Sequence, residues 1–382
     1  MNGIELLEKT ATLGLGLQME SGEMPKGHNG PYRQTETSVR NTSHWCVIFA
    51  KAYKITRKEE YKIGLINAAD FLSSKEARPN NFSFWHIDYK GADTCNGVIG
   101  NAWTIEALCE ASEALKDDKY YGIAEEVFFQ HKFHKKTGTW HRLEIDGTIG
   151  RIDQTFNHQL WFAACASFLL KSNSANKSEI LNRINHFIDQ LPKNLALFDN
   201  GLIYHPIIRK LDRRSILSDI LSLSIEISES VLMKNLKKSM RIGKFSSMYW
   251  KSVGYHSFNT YAFALLKSNL ENHKLWETEL IKKLVSYLLT DDYKKSLQIE
   301  NYFGFPYNPP GFEVPVSLEY LTTIDSDKLL RVCQIWINEQ LKYSYNYESG
   351  MMDKNNEDIN TLTARLYELF RLSENVLSNL SL

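Results

Sequence analysis

The sequence predicts an all-α protein whose helices pair and close into an (α/α)6 toroid, with small β-hairpins in its long loops. Apolar residues recur at helical spacing over most of the chain, while alternating strand-like runs are short and few. Short polar turns alternate with long connections rich in Gly, Pro, His and aromatic residues. A helical pair thus returns to a decorated loop about every 50–60 residues, as repeated helical pairs do. Loops near both chain ends share this character, as expected if they meet at one mouth of a ring. An open superhelical solenoid is the competing arrangement.

The expected helices lie near 3–18, 38–55, 60–74, 97–115, 119–134, 153–171, 176–190, 214–240, 256–269, 273–290, 326–342 and 359–374. Between them run the decorated segments 21–37, 79–96, 138–152, 198–207, 245–254, 299–315 and 345–358. Within these, 139–149 and 201–205 alternate like small hairpins. The stretch 207–244 holds nine Lys or Arg against four Asp or Glu in an amphipathic pattern. The region 207–245 is a candidate insertion or lid, and its basic face reads as a solvated helix face or, alternatively, as a contact for a membrane surface or an anionic glycan. A length of 382 residues permits two domains, but toroids of this size are common, so 1–382 is expected to form one.

Hydrophobic residues at 43% and charged residues at 24% exclude a disordered or low-complexity chain. The 45 basic side chains balance 45 acidic ones, so no global field draws nucleic acid or anionic lipid. Five scattered cysteines imply reduced core thiols. With no basic start leading into an apolar run and no segment of about 18 apolar residues, a cytoplasmic chain without a transmembrane segment is expected. The oligomeric state is left open.

The candidate site residues follow in chain order. His28, Asn29 and Tyr32 flank the Gly30-Pro31 turn, and Arg40, Asn41, His44 and Trp45 open an apolar helix. Together they suggest a wall for an anionic ring, with Arg40 offering a planar fork to a carboxylate, although each His alone reads as structural. Trp85, His86 and Asp88 precede Asp93 and Asn96 at a Gly-rich helix start, where Asp88 or Asp93 is an acid/base partner and Asp93 is equally a helix cap. If a helix starts at Asp153, then Asn157 and Trp161 share its face. A carboxyl beside Trp161 and away from water would have a raised pKa, as a general acid needs. Capping is the other reading of Asp153.

His158, His205, Tyr255 and His256 are candidates to abstract a proton, with Asn259 nearby. Tyr307 and Glu313 belong to a Pro-fixed aromatic segment that reads as a sugar platform or as core. Asp358, Asn360 and Arg365 open the last helix and are expected to close the cleft. His131, His134 and His141 lack the companions of a metal set, and no Walker A, GxGxxG or GxSxG pattern is present, so no metal or cofactor is expected.

The runs GHNGPY, ETSVRNTSHW, NGVIGNAWTIEAL, IDQTFNHQLWFAA, GLIYHP, YWKSVGYHSFNTYAFALL, FGFPYNPPGFEVP and EDINTLTARLYELFRL together resemble the AglQ-type proteins of surface-glycan and N-glycosylation gene clusters. The resemblance implies a six-hairpin glycosidase-like fold and a glycan substrate. GRIDQTFNHQLWFAA also resembles the inner-helix motif of unsaturated glucuronyl hydrolases, whose acid/base Asp matches Asp153. Where those enzymes carry another Asp before a Gly-rich helix, this chain has Asn96, with Asp93 three residues earlier.

Three functions follow. The leading expectation is a glycoside hydrolase acting on an acidic, uronate-containing oligo- or polysaccharide, with Asp153 as general acid/base and Arg40 or Arg365 on the carboxylate. The alternative is a polysaccharide lyase or C5-epimerase in which His or Tyr removes the C5 proton. The third is a non-catalytic glycan-binding protein. A carboxyl pair across an open cleft favours hydrolysis, and a His/Tyr/Asn/Arg cluster without one favours proton abstraction.

Overall fold

A computed structural model describes residues 1–207, 247–298, 301–356 and 358–382. The helix expected over 214–240, and all but the first residue of the proposed 207–245 insertion, lie outside the described residues.

Six inner helical segments close a ring. They are α2 (Val39–Thr56), α4 (Ile99–Leu115), α6 (Phe156–Ala166), α9 (Ser247–Asn269), α12 (Pro310–Leu321), and α14 (Ile359–Ala364) continued by a 3-10 helix (Arg365–Arg371). Each packs on the next, and the last returns to α2. Their sequences are apolar nearly all round, as helices enclosed on every side must be. In α4, for example, fifteen of the residues are buried, among them Asn101, Thr104 and Glu106.

The outer layer comprises α1 (Gly3–Leu17), α3 (Glu59–Leu72), α5 (Lys119–Gln130), α7 (Lys177–Asp189), the short α8 (Leu191–Asn194), α10 (Glu279–Leu288), α11 (Asp291–Gln298), α13 (Ser326–Ser344) and α15 (Glu374–Asn379). These are amphipathic. Ile180, Ile184, Phe187 and Ile188 of α7 are buried at helical spacing while its other face is polar. Caps fix the starts: Asn2 and Glu5 form a capping box on α1, and Asp325 accepts from the backbone of Asp327 and Lys328 on α13. No helix among the described residues is long and apolar enough to cross a membrane.

Among the described residues one small sheet interrupts the helices, in the order β1 (Phe133–His134), β2 (Thr139–Leu143), β3 (Ile149–Ile152), all antiparallel. It agrees with the hairpin expected over 139–149. The other expected hairpin, 201–205, contributes only isolated bridges, Leu197 to Ile203 and, just beyond it, Thr155 to Pro206.

Three boundaries differ most from expectation. The loop read over 245–254 is helical from Ser247 onward and forms the first turns of α9. The segment read as a loop through Pro315 becomes α12, because Pro310 occupies the first helical turn, where a missing N–H is harmless, and packing on α9 and α13 carries the helix past Pro315. The helix expected from Asp153 starts at Phe156, and Asp153 follows directly on β3.

Candidate active site

The inner helices run in the same sense, so their first turns converge. Residues near that end enclose a cavity of about 190 Å³: Asn29, Tyr32 and Arg40 before and at the start of α2, Asn96 and Trp103 around the start of α4, Asn157 and His158 in the first turn of α6, His205 from the segment after α8, Lys251 and Tyr255 in the first three turns of α9, and Tyr307 and Asn308 just before α12. Among the described residues that line it there is no Asp or Glu.

His158 has a carboxylate behind it. Its Nδ1 lies 2.7 Å from Oδ2 of Asp153, which is wholly buried and does not line the cavity. Oδ2 also accepts from the backbone N–H of Val98 at 3.0 Å, and Oδ1 from that of Thr155 at 3.1 Å. Arg142, on β2, bridges Oδ1 of Asp153 at 3.4 Å and Oδ2 of Asp93 at 2.9 Å. Burial pushes the Asp153 carboxyl upward, but His158, then Arg142 and the Thr155 N–H, outweigh it and hold the group well below the usual carboxylate range. With Nδ1 engaged, Nε2 is the ring nitrogen that His158 offers to the cavity.

This packing demands a glycine at 97. Gly97 has φ +61°, and a Cβ there would stand 2.1 Å from Oδ2 of Asp153 and 2.3 Å from Nδ1 of His158.

Two cations also line the cavity. Arg40 donates through Nη1 to Glu36 at 3.0 Å and to Asn29 at 3.3 Å, and its guanidinium lies 4.4 Å from the centre of a Trp103 ring. Lys251 stands over Tyr32, Tyr255 and Phe303 at 5.1 to 5.8 Å, and burial lowers its pKa. The hydroxyls of Tyr32 and Tyr255 are 2.9 Å apart, and burial, the largest influence on each, raises both pKa values, so both stay protonated. His205 packs at a tilt against Tyr255, with ring centres 4.6 Å apart, and is held neutral by burial and then by Lys251.

The remaining expected residues fall elsewhere. The raised pKa foreseen for Asp153 beside Trp161 is corrected: the carboxyl is stabilised in its ionised form, and Trp161 is buried, stacking on Phe258 at 4.5 Å and Tyr261 at 5.5 Å. His256 stands away from the cavity, accepting from Ile203 N–H through Nδ1 and donating through Nε2 to the Leu284 carbonyl at 3.1 Å. Burial lowers its pKa to about 4. Arg365 spends its donors on Glu368, Tyr307 O, Asn308 and Glu313, all at 2.7 to 2.8 Å, so it braces the wall from behind. Glu313, buried beneath it, also accepts from Ser257, and burial pushes it up to about 7 against the pull of Arg365.

Other groups are structural. Asp358 caps α14 and accepts from the His28 N–H at 2.9 Å, while Asn360 donates to the Lys26 carbonyl at 3.0 Å. His44 stacks on Tyr367 at 4.5 Å, Asn41 donates to the Pro25 carbonyl, and Trp45 packs on Phe49. His86 is buried against Thr104, and Trp85 donates to the Ile87 carbonyl. Asn259 donates to the Tyr255 carbonyl at 2.8 Å, and Asp88 is exposed. Asp93 serves Arg142 and the Gly97 N–H.

Lys251, Trp103, Asn308 and Arg142 were not singled out from the sequence. The aromatic neighbours of Lys251 in YWKS were the available signal, whereas Arg142 sits in a strand whose polar alternation looks like solvent exposure.

No family model matches the chain. It is 38% identical over 371 residues to the archaeal glycosylation protein Q of Haloferax volcanii, covering 97% of each chain. Three solved structures, each 11% identical, are similar throughout. They are cellobiose 2-epimerase from Bacillus thermoamylovorans (TM-score 0.62, 97% of this chain and 99% of that one), a D-mannose isomerase (0.63, 96% and 97%) and an unsaturated glucuronyl hydrolase specific for heparin (0.59, 97% and 94%). At that identity they establish the fold, the six-hairpin glycosidase-like toroid.

Proposed function

Because the chain belongs to the family of archaeal glycosylation protein Q, we propose that it is a carbohydrate-active enzyme of a glycosylation pathway that moves the C5 proton of a uronate residue. The observation that carries this reading is the Asp153–His158 pair at 2.7 Å, with His158 facing the cavity and the carboxylate behind it. Asp153 accepts the Nδ1 proton, fixes the tautomer and leaves the Nε2 lone pair for a C–H bond. Hydrolysis would instead require a protonated carboxyl facing the sugar. The ionised, enclosed Asp153 lends that less support.

Removing the C5 proton places an electron pair in the C5–C6 enediolate. Arg40 and Lys251 supply positive charge for that oxyanion in a partly desolvated setting, where it counts most. From the enediolate two outcomes branch. A proton returned to the other face of C5 inverts the centre; breakage of the C4–O bond, with the electrons leaving on oxygen, creates a C4–C5 double bond. The Tyr32–Tyr255 hydroxyls, kept protonated by burial, suit the donor in either branch. The names of several structural neighbours, an epimerase and an isomerase among them, accord with proton transfer at sugar carbon.

The test is incubation with oligouronides, reading near-ultraviolet absorbance, C5 configuration by NMR, and reducing ends. Unsaturated or C5-inverted product supports the reading. New reducing ends without either would replace it with hydrolysis.

A further inference from the structure

One cation of the cavity has no anion of its own. Arg40 pairs with Glu36, Arg142 with Asp93 and Asp153, and Arg365 with Glu313 and Glu368, so each of these charges is matched within the protein. Lys251, half-buried in the first turns of α9, lines the cavity and pairs with no carboxylate among the described residues. Burial alone acts on its pKa, with no neighbouring charge to offset it. Keeping an unmatched ammonium in a partly desolvated place is costly, and an anion bound beside it removes that cost.

Aromatic rings, not hydrogen bonds, hold the ammonium in place. Its Nζ stands 5.1 Å from the centre of the Tyr32 ring, 5.7 Å from that of Phe303 and 5.8 Å from that of Tyr255. Ring faces attract the charge and leave its N–H donors for a ligand. The cage is preformed. Tyr255 lies at i+4 from Lys251 on the same helix face, and its hydroxyl is 2.9 Å from that of Tyr32. Phe303 is fixed against α9: a Cβ on Gly254 would stand 2.4 Å from the Phe303 Cβ, and Asn308 donates to the carbonyls of Gly254 and Phe303 at 3.1 and 3.0 Å.

We propose that Lys251 is the residue that makes the cavity select an acidic sugar, a step that rests on the uronate reading above and names the group that enforces it. Its ammonium takes the carboxylate of one uronate ring, while Arg40, already matched by Glu36, adds hydrogen bonding without net charge. One unmatched cation suits a singly charged carboxylate better than a doubly charged phosphate. After burial, Lys251 and then His158 are the groups that act on the His205 ring, so both stand near one imidazole. A carboxylate resting on Lys251 thereby brings C5, the adjoining carbon, toward His158.

Calorimetry on the whole chain with methyl β-D-glucuronoside and methyl α-D-galacturonoside, each against its uronamide, tests the assignment. The amide keeps the shape and removes the charge. At least one uronate should bind about 10–100-fold tighter than its amide. Lys251→Met should bring acid and amide within about twofold of each other, and Lys251→Arg, which keeps the charge, should retain the preference. Equal binding of acid and amide by the wild type, no binding of either uronate, or a preference that survives Lys251→Met overturns the assignment. No turnover is read in these titrations, so the two proposals fail separately. A preference lost in Lys251→Met, with no deuterium uptake at C5 by the wild type, leaves Lys251 as the selecting group and removes the reaction. Uptake at C5 with the preference intact in Lys251→Met does the reverse.

Discussion

Asp153 approaches His158 from the side away from the cavity, with Oδ2 at 2.7 Å from Nδ1, and four further groups converge on the same carboxylate or its neighbours: Val98 N–H, Thr155 N–H, Arg142 and, through Arg142, Asp93. A group so completely used by the protein has no free oxygen for a sugar. Its work is on the imidazole.

Asp153→Asn should therefore cut turnover by about 10²–10⁴-fold through loss of the tautomer and orientation of His158. His158→Gln should remove it entirely. The decisive comparison is substrate affinity, which both variants should retain within a few-fold, measured by calorimetry. Loss of affinity in place of turnover would assign the pair to binding.

Gly97→Ala places a methyl where Asp153 and His158 already are, and asks for a backbone conformation at φ +61° that side chains avoid. The left-handed backbone alone costs about 1–2 kcal/mol. Thermal unfolding should register that cost, and turnover should fall much further than the lost stability explains. Wild-type turnover in a folded Gly97→Ala protein would mean the pair can move apart without consequence.

Arg40 and Glu36 are 2% and 0% exposed and paired at 3.0 Å. Arg40→Met should destabilise the fold by about 3–5 kcal/mol, because it strands a buried carboxyl. Adding Glu36→Gln should recover most of that stability in denaturant titrations but none of the affinity for an acidic sugar. Recovery of both would show that Arg40 acts on the fold alone.

Acid should weaken the fold through Asp153. Its folded pKa lies below the unfolded value of about 3.9, so the unfolded chain takes up the proton first as pH falls. The stabilisation is complete above about pH 5 and is lost progressively below about pH 4. Denaturant midpoints of wild type and Asp153→Asn should differ most near neutrality and converge in acid. A constant difference across that range would mean that the charge contributes nothing.

Much of the ring was legible because its inner helices are apolar all round and its loops are not. Arg40, Asn157 and His158 stand at the starts of such helices, and those starts meet at the cavity, which Asn29 and Tyr255 also line. What stayed hidden depends on partners distant in sequence. Asp153 reads as the first helical residue, yet its side chain turns back to the Thr155 N–H, and the helix begins only at Phe156. Arg365 and Glu313 look like cleft residues until each is found facing the other. The α12 helix was concealed by prolines that ordinarily punctuate a chain.

The most direct measurement is solvent exchange at C5. An oligouronide incubated with the protein in D2O and read by mass spectrometry and NMR should acquire deuterium at C5, or release that hydrogen to solvent on forming the unsaturated sugar, and His158→Gln should do neither. Cleavage to new reducing ends with the C5 hydrogen fully retained would contradict proton abstraction by His158.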